Sequence, residues 1–240
     1  MVLADSDVER VLVVAAHPDD VDFGAAGTVA NWTDAGLAVT YCVCTDGQAG
    51  GYDADVPRER IPQIRRAEQV AAAAIVGVED VRFLGYPDGE LDVTRELVRD
   101  LVRVIRQVRP QRMLVPSPER WWDRLAASHP DHLAAGEAAV RALYPFARNP
   151  FAFPELLADE SLEDWVVGEV WLMAAPGPNH AVDVTGAVDR KLEAILAHES
   201  QHPDPARLAP MVREFLAANA ERFELPAGRM AEAFRVHPTA

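Results

Sequence analysis

Residues 11–16 are all apolar, and a strand made of such a run has to be buried on both faces. That demand constrains the chain more than any other feature, because only a sheet covered by helices on each side satisfies it. The residues that follow supply the helices. Residues 23–34 read as a helix closed by Gly36, and residues 37–44 as a second strand. A Gly- and Asp-rich loop over 45–55 precedes a helix over 60–76, stopped by Gly77. A short strand over 81–84 leads through the turn Tyr86-Pro87-Asp88-Gly89 to a helix over 94–108 and a strand over 113–115. Strand and helix therefore alternate through the first half, which predicts an α/β fold: a Rossmann-like, mostly parallel sheet with helices on both faces.

Beyond residue 116 the pattern loosens. Residues 116–128 read as a loop, 130–143 as a helix, 146–164 as irregular and aromatic, 165–173 as a strand, and 187–198 and 206–222 as helices. No repeat, low-complexity tract or linker interrupts the chain, so residues 1–240 are expected to form a single domain whose last third covers or extends the sheet. Oligomeric state is left open, a homo-oligomer included.

Charge narrows the partners. With 38 acidic against 23 basic residues and a formal charge of −15, the chain lacks the clustered cations that phosphate backbones or anionic membranes require. Neither nucleic acid nor a membrane is an expected partner. The acidic residues 1–10 lack the basic-then-apolar layout of a signal peptide, which makes a cytoplasmic location the default. Cys42 and Cys44 stand two apart on a predicted strand and point to the same face, where they read as buried apolar residues and not as a disulfide.

Two short strings carry the chemistry. His17-Pro18-Asp19-Asp20 follows the first strand, and His129-Pro130-Asp131-His132 opens the helix after the fourth. In open α/β sheets ligands bind outside the carboxyl ends of the strands, and both strings fall at that end. Either one alone reads equally as a turn, since Pro fixes φ and Asp caps helices. Together they offer His17, Asp20 and His132, the two-imidazole, one-carboxylate set that Zn2+ or another divalent metal takes while keeping a position for water. Asp19 is then placed to act as general base. His129 is placed to stabilise an oxyanion or, if a partner keeps it charged, to protonate a departing amine. Asp131 is a supporting carboxylate that would orient one of the histidines.

At these residues the sequence resembles the N-acetylglucosaminyl-phosphatidylinositol de-N-acetylase family, also called LmbE-like. Deacetylases of the mycothiol and bacillithiol pathways and mycothiol conjugate amidases are similar. The resemblance continues through Gly24, Gly27-Thr28, Thr45-Asp46-Gly47, Arg65-Arg66-Ala67-Glu68 and residues 84–89, and ends near His198-Glu199-Ser200-Gln201. It implies a zinc enzyme that removes an N-acyl group, commonly from an amino sugar, with a small-molecule N-acyl compound as its partner. It also implies His17, Asp20 and His132 as ligands, Asp19 as base and His129 as transition-state aid. One departure stands out: where many members have Glu directly after the paired aspartates, this chain has Val21 and then Asp22.

The resemblance further implies sugar-facing roles for Arg65 and Asp88. Arg65 reads equally as an exposed helix residue near Glu68, and Asp88 as turn chemistry. Asp22 is a candidate for the pocket or for a helix cap. Trp122, with Trp121, is a candidate aromatic wall or a loop anchor. His198 reads as a helical histidine at or away from the rim. An amidase acting on a larger N-acyl conjugate is the neighbouring alternative. A nucleotide-binding Rossmann enzyme is the distant one, because residues 24–28 lack the G-x-G-x-x-G spacing.

Overall fold

Alternate residues of the first strand enter different cores. In the computed structural model, which describes residues 2–239, β1 (Arg10–Ala15) sends Leu12 and Val14 to one side and Val11, Val13 and Ala15 to the other. This is the period-two geometry of a strand covered on both faces. The chain continues through α1 (Asp20–Asp34), β2 (Ala38–Thr45), α2 (Ile61–Ile75), β3 (Asp80–Tyr86), α3 (Arg95–Val108), β4 (Arg112–Pro116) and α4 (Pro130–Arg141). Then come α5 (Pro154–Glu160), β5 (Glu169–Met173), β6 (His180–Asp183), α6 (Val188–Leu196), α7 (Leu208–Arg222) and β7 (Ala231–Pro238).

The strands form one seven-stranded sheet in the order β3-β2-β1-β4-β5-β7-β6. The first five in that order are parallel; β7 and β6 add on antiparallel. The order reverses between β1 and β4, and at such a switch point the loops leaving adjacent strands diverge and open a crevice. Both His-Pro-Asp strings leave the sheet there. Side chains of α3 and α4 fill one core and those of α1, α2 and α6 the other. Cys42 and Cys44 are buried, unpaired and in the same core; burial pushes the Cys42 thiol up to about 12. Among the described residues no helix is long and apolar enough to cross a membrane.

Several boundaries differ from expectation. Helix α1 begins at Asp20, not Phe23, because the chain turns sharply at Asp19, the N-cap, and is helical from the next residue. The irregular stretch 146–164 contains the short helix α5, and the strand expected over 165–173 starts only at Glu169. Strands β6 and β7 were not expected at all. In β7 the pattern is masked by Glu232, a carboxylate 2% exposed that holds Lys191 at 2.7 Å and accepts from the amides of Gly27 and Thr28 at 3.0 and 2.7 Å. A buried ion pair reads in sequence like a surface charge.

Helix α4 lies so close to the end of β4 that a Cβ on Gly136 would stand 2.3 Å from the carbonyl oxygen of Pro116. Backbone cannot rotate away as a side chain can. Gly136→Ala is therefore expected to destabilise the protein by about 1–3 kcal/mol, the usual cost of overpacking, in urea unfolding. Unchanged stability would mean that α4 shifts freely, and with it His132.

Candidate metal centre and active site

Between β1 and α1 the chain makes a sharp corner. Asp19 sits at φ 96°, ψ −25°, a left-handed conformation that costs a non-glycine residue about 1–3 kcal/mol and persists only where neighbours enforce it. The neighbours are visible. The Asp19 amide donates to Gln69 Oε1 at 2.8 Å. Arg65 Nη2 donates to the Pro18 carbonyl at 2.6 Å and to Asp19 Oδ2 at 3.0 Å, and its Nη1 donates to the Gly47 carbonyl at 3.1 Å. The corner turns Asp20 back on the chain, so that its Oδ2 accepts from the amides of Ala16 and His17 at 3.0 and 2.9 Å.

From β4 the chain passes through a 3₁₀ turn (Trp122–Ala127) to His129, the N-cap of α4. His129 Nδ1 accepts from the Asp131 amide at 3.2 Å. His132, one turn into the helix, faces the β1 corner. Its Nε2 lies 3.0 Å from Asp20 Oδ1 and 3.2 Å from His17 Nδ1, and His17 Nδ1 lies 3.7 Å from Asp20 Oδ2. With metal–ligand bonds near 2.0–2.1 Å, the edge of a tetrahedral zinc site is about 3.3 Å, close to the His132–Asp20 Oδ1 and His132–His17 separations, while His17 meets the other Asp20 oxygen at the longer distance.

The back of His17 completes the fit. Its Nε2 is 3.1 Å from both Asp88 Oδ1 and Asp131 Oδ2, carboxylates that accept a proton carried on Nε2, while Nδ1 faces His132 and Asp20. A carboxylate on the far nitrogen is the usual support of a metal-ligating imidazole. Asp131 is itself fixed by the amides of Gly89 and Leu91 at 2.7 and 3.3 Å. The groupings whose donor atoms all lie within 4.8 Å of one another are His17 with His129 and His132, and His17 with Asp88 and Asp131; Asp20 meets His132 and His17 pairwise, through different carboxylate oxygens. Asp88 and Asp131 lie at Nε2 of the His17 ring, opposite the Nδ1 that faces His132, and His129 Nδ1 is engaged by a backbone amide.

The field around these groups favours positive charge. Burial opposes protonation of His17, but the hydrogen bonds and charges of Asp20 and Asp88 raise its pKa to about 11. Burial opposes ionisation of Asp20, yet His132 and His17 hold its carboxyl well below the usual range. Burial and the charge of Asp20 lift Asp19 to about 6, against the pull of Arg65. His129 is pushed down by burial and by His17 and His132.

The expected substrate contacts are placed differently. Arg65 is 4% exposed, not a surface residue, and its donors meet Asp19, Pro18 and Gly47; Glu68 instead accepts from Ser200. Asp88 is buried between His17 and the Ala49 amide. Asp22 is fully buried and caps nothing with its side chain; its Oδ2 meets His198 Nε2 at 2.8 Å and Gln69 Nε2 at 2.9 Å. Trp122 is 78% exposed, and the cavity wall beside His132 is formed by Trp121. His198 is fully buried, away from any rim. Through Asp22 and Gln69 it braces the Asp19 corner. Gln69 carried no signal, since an isolated Gln on a helix gives no hint that it is buried.

Two imidazoles and a carboxylate around a point open to a cavity, with a strained carboxylate alongside, are the equipment of a hydrolase that works with a divalent ion. The chain belongs to the PIG-L family, the GlcNAc-PI de-N-acetylases, whose sequence profile matches residues 12–143. It is 36% identical to the diacetylchitobiose deacetylase of Thermococcus kodakarensis over 83% of this chain and 72% of that protein. It is 35% identical to a probable N-acetyl-α-D-glucosaminyl L-malate deacetylase of Bacillus cereus, over 80% and 83% of the two chains. The N,N'-diacetylchitobiose deacetylase structure from Pyrococcus horikoshii superposes with a TM-score of 0.88 at 31% identity, covering 97% of this chain and 85% of that one.

Proposed function

We propose that this protein hydrolyses the N-acetyl group of a small amino sugar or sugar conjugate, with Zn2+ held by His17, Asp20 and His132. The observation that carries this reading is the convergence of His17 Nδ1, His132 Nε2 and the Asp20 carboxylate, with His132 3.2 Å from His17 and 3.0 Å from Asp20 Oδ1 and His17 3.7 Å from Asp20 Oδ2, next to the Asp19 carboxylate. Two nitrogens and one oxygen suit zinc. When bound, the ion would polarise the acyl carbonyl and lower the pKa of a water.

The chain's own residues account for the proton movements. Asp19 Oδ2 is engaged by Arg65, and Oδ1 is left to take the proton from the attacking water. As the water oxygen bonds to the acyl carbon, negative charge develops on the former carbonyl oxygen. His129, with its Nδ1 occupied, offers Nε2–H to that oxygen. The C–N bond then breaks, and the proton held by Asp19 passes to the departing nitrogen, giving acetate and a free amine. Asp88 and Asp131 keep the His17 ring in one tautomer throughout.

Acetate release from N-acetylglucosamine, di-N-acetylchitobiose and N-acetylglucosaminyl malate, with Zn2+ added, tests the proposal. Release from at least one of them, abolished by a chelator and restored by metal, is expected. No release from any of them in metal-replete protein would contradict it.

A further inference from the structure

A cavity of about 770 Å³ opens directly on Asp20 and His132. Its lining is not what a polyol alone would select. Phe23, Met173, Trp121 and Phe215 wall it, and the only cations among the lining residues are Arg124 and Arg222. Helix α7 contributes Phe215, Ala218 and Arg222 at the spacing of one helical face.

The charges in this lining are unequal in their freedom. Of its two carboxylates, Asp20 faces His132 and the amides at the β1 corner, and Glu232 is held by Lys191 and the amides of Gly27 and Thr28. Neither Arg124 nor Arg222 has a carboxylate within 4 Å among the described residues, although the protein carries a formal charge of −15. Arg124 instead lies with its guanidinium carbon 4.5 Å from the centre of the Phe215 ring and 5.9 Å from that of Trp121. Stacking on aromatic faces places a guanidinium and leaves its N–H fork to meet an anion.

Resting on the hydrolase reading above, we propose that this cavity holds the part of the substrate beyond the scissile amide, and that this part is an apolar group bearing an anionic substituent. The polar side of the centre, Asp19 with Arg65, is committed to chemistry. The cavity side therefore decides which N-acetyl compound is accepted. Apolar walls supply area and two guanidiniums read the charge.

The test is calorimetric binding to full-length, zinc-loaded Asp19→Asn protein, which slows turnover while the probe is bound. The probes are phenyl N-acetyl-β-D-glucosaminide and its 4-carboxyphenyl counterpart. The carboxylated probe is expected to bind at least ~10-fold more tightly, the order of one charge-assisted contact, with the preference shrinking as salt is raised. Adding Arg124→Gln and Arg222→Gln, both exposed positions whose fold is checked by circular dichroism, is expected to bring the ratio close to one. Equal affinities, no binding of either probe, or a ratio that survives the double substitution overturns the proposal. Acetate release from both glycosides by the unmodified enzyme, with equal affinities, removes this inference and leaves the hydrolase reading standing. A clear binding preference with no acetate release from these glycosides or from the three sugars above removes the hydrolase reading and leaves the anion preference of the cavity standing.

Discussion

Asp19→Asn is expected to lower turnover of an N-acetylated substrate by about 10²- to 10⁴-fold, the range that general-base catalysis contributes, while the bound metal stays at one ion per chain. The substitution keeps the shape and the Oδ1 hydrogen-bonding position but removes the carboxylate that accepts the proton. It leaves the three proposed ligands, and the Ala16 and His17 amides that hold Asp20, chemically unchanged. Steady-state kinetics alongside metal analysis separates the two roles. If metal content and activity fall together, Asp19 is a ligand or a brace for one, and the division of labour between the paired aspartates is wrong.

The largest expected effect on stability lies elsewhere. Arg112 and Glu169 are register partners on β4 and β5, are 0% and 1% exposed, and meet at 2.6 Å. The guanidinium is flanked by Trp32 and Trp171, 5.1 and 4.6 Å from the two ring centres. It also reaches Asp5 and the Leu3 carbonyl, tying the N-terminal segment to the sheet. Arg112→Met leaves Glu169 buried without its cation and is expected to cost about 3–5 kcal/mol, as removal of one partner of a buried pair does. At roughly 2–4 °C per kcal/mol for a domain of this size, the melting temperature should fall by about 10 °C. Arg112→Met combined with Glu169→Leu should recover much of the loss, because no charge is then stranded. A double variant as unstable as the sum of the single ones would show that the pair contributes more than mutual neutralisation.

The parts of this molecule that were legible in the sequence are those written as local pattern. The apolar run of β1 requires burial on both faces, and the core assignments of Val11 to Ala15 follow from it. The two His-Pro-Asp strings are short, and topology alone brings them to adjacent strands. What escaped is what depends on partners distant in sequence. Glu232 disguised β7 because its cation, Lys191, comes from another helix. Arg65, Asp88 and Asp22 are polar residues whose contacts to the Asp19 corner and His17 come from segments distant in sequence. Gln69 links two of these networks through its two amide ends, a role that no neighbour in sequence announces. Trp121 and Trp122 are adjacent, and only the course of the 3₁₀ turn decides which one faces the cavity.

The central claim is that hydrolysis runs on a metal held by His17, Asp20 and His132. It is tested most directly by titrating Zn2+ into chelator-treated protein while following bound metal and acetate release in the same samples, for the unmodified chain and for His132→Ala. The account predicts that activity rises in step with occupancy and saturates at one ion per chain, and that His132→Ala loses both. Full activity in metal-free protein, or saturating activity in His132→Ala without bound ion, would contradict it.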